Sequence, residues 1–535
     1  MSKSTPVIAA EKSQICLYPG IEDTWIVPDI LEVSHLEAGL AGYFTVQTQP
    51  EYRALVTYVD TFDWKLYQAG CLLHYHNRHW TFYDNNGAIT LLNKGPLCKH
   101  SCRAEGFPAG SLRQNLQSLI TPRALLPVGQ LSLKGKQISL LNEDKKIVLR
   151  LVFEEQIVPE KAQCFRLIRV FPLRGYADEL FAVQTLFTEL GIVQNVSPLL
   201  GFTAACQAFG RTPLDYSSKI AIQLDPEQAA AEAMLQVYRS LLETIRCNLP
   251  GTIDDLDIEF LHDLRVAVRR TRSAMSLTRD VFPKEKLRPF KEDFARLGQL
   301  TGPTRDLDVY LLQKEAFLAR VRPELQSGVL AYFKRLTLRR NKAQRVLASA
   351  LKTESFAMQL QRWEEFLKLR KRKKGLAADK PIGRLANRII RQHFAKVLQD
   401  GQNINATTAD AEIHQLRIEC KKLRYSLEFF ASLYEEEAFS KLLKPLKSMQ
   451  TILGDFNDLF VQQEMLYKEI QSLRKGTAQN KEEQIVALSA LMQSLYEEQQ
   501  PLRGRFSEHF AALQTEETLQ LCAMLFGKKK PDKSP

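Results

Sequence analysis

The 535-residue chain contains no run of about 18 consecutive apolar residues, which excludes an obvious membrane-spanning helix. Its opening stretch, MSKSTPVIAAEKSQ, lacks the apolar core that a secretory signal needs, so the expected address is the cytoplasm. The nine cysteines are scattered and odd in number, and only Cys98 and Cys102 lie close together, which argues against a disulfide framework. Free thiols in a reducing compartment fit this pattern. His74, His76, His79 and His100 lie near Cys98 and Cys102, yet the paired spacing of a closed zinc site is absent, and no metal is expected there. With 45% hydrophobic and 25% charged residues the composition is ordinary, which excludes wholesale disorder and a coiled-coil rod. The length suggests two to four domains.

Acidic charge is in short supply in one part of the chain. Residues 1–220 hold 21 Lys and Arg against 20 Asp and Glu, whereas the remainder holds 52 against 41, so nearly all of the +12 net charge lies after residue 220. A basic excess confined to one region predicts an anionic partner there, whether nucleic acid, a membrane surface or a polyphosphate.

The periodicity changes at about the same place. Between residues 54 and 173, ALVTYVDTF, GCLLHYHN, HWTFYD, AITLLN, QISLLN, KIVLRLVF and FRLIRVF read as strands. Asp84–Gly87 and Asn142–Asp144 sit between such runs as hairpin turns would. An antiparallel sheet is predicted, followed by a helix over YADELFAVQTLFTEL at 176–190. After Pro226 the apolar period becomes that of helices, and the rest of the chain reads all-α. The basic run Arg370–Lys374 reads as a solvated break between two helical halves.

Within the helical region a shift of 152 residues holds in register from about 230 to 310. It places His262, Leu264, Arg265, Arg269, Arg270 and Arg272 on His414, Leu416, Arg417, Lys421, Lys422 and Arg424. It also places Gly302, Asp306 and Leu307 on Gly454, Asp458 and Leu459, and Arg239 on Arg391. At about 100° per residue the basic positions share one helix face about 15 Å long, while Leu261, Leu264, Val268 and Met275 (Ile413, Leu416, Cys420 and Leu427 in the second copy) supply the packing face. An ordinary solvated face would mix charge signs; HDLRVAVRRTR and HQLRIECKKLR each hold one acid against four or five bases. Asp306 with Asp308, or Asp455 with Asp458, could hold magnesium, but capping or pairing with arginine explains them equally.

The two motifs resemble the CHAD family, the histidine-containing α-helical domain, whose halves each carry an H-x-L-R-x-x-x-[RK]-[RK]-x-R helix. RRNKAQRVLASAL (339–351), PIGRLANRIIRQHF (381–394), LTGPTRDLDV (300–309) and LGDFNDLFV (453–461) look like further family segments, so the likeness spans about 225–525. It implies two pseudo-symmetric four-helix bundles facing across a basic cleft that binds inorganic polyphosphate. The expected ligands are Arg265, Arg269, Arg270, Arg272, Arg417, Lys421, Lys422 and Arg424, with His262 and His414 as donors. Arg339, Arg340, Arg388 and Arg391 form a second rank. Polyphosphate granules are the site of action that this resemblance suggests.

The preceding region resembles, more distantly, the CYTH triphosphate tunnel domain. YVDTFDWKLYQAGCLL (58–73) looks like its strand, turn and helix, and Arg103-Ala104-Glu105 and KIVLRLVFEE (146–155) look like later strands. The E-x-E-x-K strand that the family uses for metal and triphosphate does not occur; only Glu32 and Glu37 lie near its place. A degenerate, noncatalytic β barrel or tunnel is therefore expected, with no cofactor and no catalytic residue. The expected organisation is a flexible 1–24, a β domain at 25–205, a linker at 206–224, a helical domain at 225–527 with halves 225–369 and 380–527, and a basic tail at 528–535. A magnesium-dependent triphosphatase or polyphosphate hydrolase and an RNA- or ribosome-associated module are the alternatives. Few aromatics interleave with the basic faces, Tyr425 being the exception, which disfavours nucleic acid.

Overall fold

The computed structural model describes residues 24–76, 79–84, 89–92, 94–158, 163–173, 175–194, 200–219, 222–369, 373–402, 404, 408–477 and 480–527. The N-terminal segment, the basic tail, the centre of the Asp84–Gly87 turn and residues 370–372 of the basic break lie outside these. Two compact units divide between Ser217 and Ser218.

The first unit is built on ten strands: β1 (Thr24–Ile26), β2 (Thr45–Thr48), β3 (Tyr52–Thr61), β4 (Leu72–His76), β5 (His79–Tyr83), β6 (Ile89–Leu92), β7 (Leu125–Leu141), β8 (Ile147–Val158), β9 (Gln163–Pro172) and β10 (Val193–Gln194). They pair antiparallel in the order β10-β1-β9-β8-β7-β3-β4-β5-β6, with β2 added to the far half of β7. The sheet is open, which corrects the expected closed barrel. Its edges are a two-residue and a four-residue strand, too short to continue the ladder into closure. Helices α1 (Val33–Ala41) and α4 (Ala177–Glu189) cover Ile138, Leu140, Leu149, Leu151, Ile168 and Val170. α2 (Lys65–Gln68) and α3 (Ser111–Ile120) enclose a second apolar cluster, and α5 (Leu200–Ala208) packs Phe202, Ala205 and Cys206 on Val56, Val128 and Leu131. Two finer expectations change. Arg103–Glu105 lies at a 3-10 turn, not in a strand. Residues 206–217, expected as linker, fold against the sheet: Trp64 Nε1 donates to Asp215 at 2.9 Å, and the Arg211 guanidinium lies over the Phe62 and Trp64 rings.

The turn after β3 depends on Asp60. Its carboxylate is buried and accepts the backbone N–H groups of Thr61, Leu66 and Tyr67 at 2.6, 2.9 and 2.9 Å, which fixes the start of α2 while Trp64 takes a left-handed φ of 63°.

The second unit is all-α: α6 (Ala230–Ile253), α7 (Ile258–Leu277), α8 (Lys284–Leu312), the short α9 (Lys314–Ala319), α10 (Gln326–Leu351), α11 (Glu354–Lys368), α12 (Ile382–Gln402), α13 (Asp410–Phe430), α14 (Glu436–Lys475), α15 (Lys481–Ala511) and α16 (Glu516–Phe526). The starts of α12, α13 and α14 follow those of α6, α7 and α8 by 152 residues, the period of the duplication. Each half has four long helices and adds a shorter one, α11 or α16. The symmetry is visible in the backbone. Ala229 bridges Pro381, its own equivalent; Ala230 N–H donates to Lys380 O and Ile382 N–H to Gln228 O, both at 2.9 Å. Two further bonds, Ala231 N–H to Ala378 O and Gly383 N–H to Pro226 O, repeat the relation at 2.9 Å. These four bonds sit around a pseudo-two-fold axis and pin the first turns of α6 and α12 to each other's approach. One apolar core runs through both halves, and a second joins the far ends of α8, α10, α14 and α15. Among the described residues no helix is long and apolar enough to cross a membrane.

Replacing Asp60 by Ala strands three N–H donors, two of them buried, and we expect a loss of about 1–3 kcal/mol in urea unfolding of the first unit, with Asp60→Asn retaining part of it.

Candidate functional site

Asp257 caps α7 by accepting Glu259 N–H at 2.8 Å and Phe260 N–H at 3.2 Å, so the helix starts where the motif needs it. Leu261, Leu264, Val268 and Met275 are buried on α7, as are Ile413, Leu416, Cys420 and Leu427 on α13. Burying these residues turns the basic faces away from the core and brings them side by side. Glycine on α8 permits the close approach: a Cβ at Gly298 would lie 3.1 Å from Arg272 Nη1, and one at Gly302 would lie 3.3 Å from Arg265 Nη1.

Two cavities flank the pair. One, of about 640 Å³, is lined by His262, Arg265, Arg305 and Arg417 together with Asp306 and Asp458. The other, of about 720 Å³, is lined by Arg388, His393, Lys396 and Lys422 together with Asp280 and Glu419. Arg269 and Arg272 line both, so the two cavities meet at the middle of the α7 motif.

Like charge is crowded here. Burial, then the Arg417 and Arg269 guanidiniums, push the Lys421 ammonium down to about 8. Burial lowers Arg265 and Arg417 from the usual arginine range, with Asp306 and Asp458 opposing and Arg269 adding repulsion to both. Burial and Arg305 lower His262. Compensation is incomplete. Arg265 faces Asp306 at 3.7 Å and Arg417 faces Asp458 at 3.7 Å, the same pair repeated 152 residues on and longer than a hydrogen bond. Arg270 and Arg424 share Glu428 at 3.0 and 2.9 Å, and Lys422 pairs with Glu419 at 2.7 Å. Among the described residues Arg269, Arg272 and Lys421 have no carboxylate partner within ion-pair distance. Arg269 instead lies over the ring of Tyr425 at 5.6 Å. His414 Nδ1–H donates to Asn457 Oδ1 at 2.9 Å, and the equivalent of Asn457 beside His262 is Arg305.

The four flanking arginines of the sequence reading separate. Arg388 lines the larger cavity, 3.9 Å from Asp280. Arg340 is taken up by two carboxylates, Asp308 at 2.6 Å and Asp255 in a two-pronged pair. Arg339 reaches Glu469 at 2.7 Å, and Arg391 lies near the Cys522 thiol, so neither lines the cavities. Arg305, Arg279, His393 and Lys396 do line them and were missed. Arg305 stood within LTGPTRDLDV, but its equivalent is Asn457, and a search for repeated bases passes over it. Asp308, paired with Arg340, does not reach either cavity, and among the described residues no group of three or more His, Cys, Asp or Glu could hold a metal. Cys98 and Cys102 are buried in the apolar cluster under α3, and Cys98 Sγ–H donates to Leu125 O at 3.5 Å.

Comparison with known proteins places the helical unit. Residues 236–467 match the family model of the CHAD domain, and this part of the chain is a CHAD domain. Among solved structures, the CHAD domain from the plant Ricinus communis is similar at 26% identity, over 55% of this chain and 96% of that one, with a TM-score of 0.46. PptA from Streptomyces chartreusis is similar at 15% identity, over 54% of this chain and all of that one, with a TM-score of 0.41. No curated protein matches.

Arg340 and Arg269 should respond oppositely to removal. Arg340→Ala leaves Asp308 buried and unpaired, and we expect it to cost about 3 kcal/mol in urea unfolding. Arg269→Ala relieves repulsion and should leave stability unchanged or raise it.

Proposed function

We propose that the helical unit binds inorganic polyphosphate along the paired faces of α7 and α13. The observation that carries this reading is the set of three cations, Arg269, Arg272 and Lys421, which have no carboxylate partner among the described residues and lie where the two repeated helices meet between two cavities. Crowding like charges costs stability, and a bound polyanion offsets that cost. Arg forks and a Lys point charge suit phosphate oxygens. The proposed ligands are Arg265, Arg269, Arg272, Arg417, Lys421 and Lys422, with His262, Arg305 and Arg388 at the cavities and His414 beside them. Arg270 and Arg424 take part through the carboxylate they share.

Two features favour polyphosphate over nucleic acid. Tyr425, the aromatic of the basic faces, is buried, and its ring lies under Arg269 and Arg424, so it offers no platform for a base. The pseudo-two-fold axis also presents similar groups in opposite directions, which suits a chain that reads the same from either end. Action at cytoplasmic polyphosphate granules follows from this reading. The first unit is proposed as a scaffold related to the triphosphate tunnel fold.

Titration with long-chain polyphosphate and with RNA of equal charge, at physiological salt with magnesium present, tests the reading. We expect binding to polyphosphate alone and no release of phosphate. Arg269→Glu combined with Lys421→Glu should weaken binding by about a hundredfold or more, near 2.7 kcal/mol, with helicity intact. Equal affinity for both polyanions, or unchanged affinity in the double variant, would contradict it.

Affinity should also depend on pH. Bound phosphate favours the Lys421 ammonium, so below about 8 the charge is already present, and above it each binding event must take up a proton. We expect affinity to fall above pH 8 by up to about tenfold per unit. Lys421→Arg should flatten that decline, because guanidinium stays charged.

A further inference from the structure

The two basic stripes differ once they pass the duplicated motif. On α7 the stripe reads Arg265, Arg269, Arg272 and Ser276, and Arg279 follows in the turn just after the helix; the equivalent positions are Arg417, Lys421, Arg424 and Glu428 on α13 and Ala431 just after it. Steps of three and four keep the four helical members of each series on one helix face. Glu428 decides what the α13 side can hold. Its carboxylate accepts a hydrogen bond from Arg270 at 3.0 Å and forms an ion pair with Arg424 at 2.9 Å, and Arg270 also donates to the Ser218 carbonyl at 2.8 Å. Leu224, close after Ser218, is buried in the helical core, and its N–H donates to Ser432 Oγ at 3.2 Å. On this side both arginines are paired with Glu428, and Arg270 is also held by the Ser218 carbonyl.

The α7 side has the opposite character. The equivalent of Glu428 is Ser276, which is exposed and lines the 720 Å³ cavity, so among the described residues no carboxylate links Arg272 to Lys422 as Glu428 links Arg424 to Arg270. That cavity presents Arg269, Arg272, Arg279, Arg388, Lys396 and Lys422 against two acids, Asp280 and Glu419. Lys396 is partly satisfied by Asp400 at 2.6 Å and Lys422 by Glu419 at 2.7 Å, which leaves Arg272 and Arg279 with no carboxylate among the described residues. Positive charge continues outward: Lys291 is lowered by burial and then by Arg279 and Lys284. From Arg265 to the end of α7 at Leu277 is about 18 Å at 1.5 Å per residue, longer than a phosphate or two would need.

We infer that the cavity around Ser276, Arg279 and Arg388 is an extension subsite, which seats the part of a linear polyphosphate that runs beyond the duplicated motif on the α7 side. It rests on the polyphosphate reading and adds a direction to it: the pseudo-symmetric site continues at one end and is closed at the other. Long chains are then held by more groups than short ones, and the difference is written in residues outside the repeat.

Ser276→Glu copies the bridging carboxylate of the closed side into the open one at an exposed helix position. Calorimetric titration of the full chain with tripolyphosphate and with long-chain polyphosphate reads its effect. We expect Ser276→Glu to weaken long-chain binding by about tenfold while tripolyphosphate, held at Arg269 and Lys421, changes less than about twofold. Arg279→Ser, which introduces no new charge pair, should act in the same direction by a smaller factor. If wild type binds long chains and both variants bind them as tightly, or if either variant loses both ligands equally, the extension subsite is overturned. A wild-type chain that binds neither ligand overturns the polyphosphate reading and this inference with it.

Discussion

Repulsion between cations held on two neighbouring helices is the constraint around which the helical unit is arranged. Arg269 acts on Lys421 and Arg417 across the α7–α13 contact, and the nearest acids, Asp306 and Asp458, stand 3.7 Å from the arginines they face. Nothing local would keep such groups together. The apolar faces of the same helices do so, with Leu264, Val268, Leu416 and Cys420 buried in a core continuous through both halves. Hydrophobic burial over two long helices readily exceeds the repulsion of a few partly solvated charges.

Duplication makes this arrangement economical in parts. One helix with a basic face is a solvated surface; two related by a near-two-fold axis bring their basic faces together between two cavities. The four backbone bonds between the approaches to α6 and α12 set the axis, and the motif helices follow from it. The symmetry is then broken at single positions: Asn457 for Arg305, Glu428 for Ser276, Gln450 for Gly298. Gln450 holds Arg424 at 3.1 Å where Gly298 simply makes room for Arg272, so the second half restrains its arginine and the first leaves it open.

Much of this was legible in the sequence. The 152-residue period located α6 to α8 and their copies, and the alternation of apolar and basic positions on α7 and α13 assigned their faces correctly. The strand and turn pattern also predicted the antiparallel sheet. What escaped depends on long-range partners. Arg340 reads as one more base beside Arg339 until Asp255 and Asp308 arrive from distant turns of the chain. Residues 206–217 look like linker by composition, yet Trp64 and Phe62 hold Asp215 and Arg211. Only the second half of β7 was recognised, because Pro127, Gly129 and Gly135 punctuate a strand 17 residues long. Closure of the sheet was a property of its edge strands, which no local pattern reveals.

The central claim is that the cations between α7 and α13 that have no carboxylate partner among the described residues are seats for phosphate, and Lys421 reports on it from within. NMR titration of the reductively methylated chain, with the Lys421 signal assigned by Lys421→Arg, measures its pKa with and without long-chain polyphosphate. The account predicts a value near 8 in the free protein, rising by a unit or more when the polyanion binds. A Lys421 that titrates like a surface lysine without ligand, or that does not move when polyphosphate is added, would contradict it.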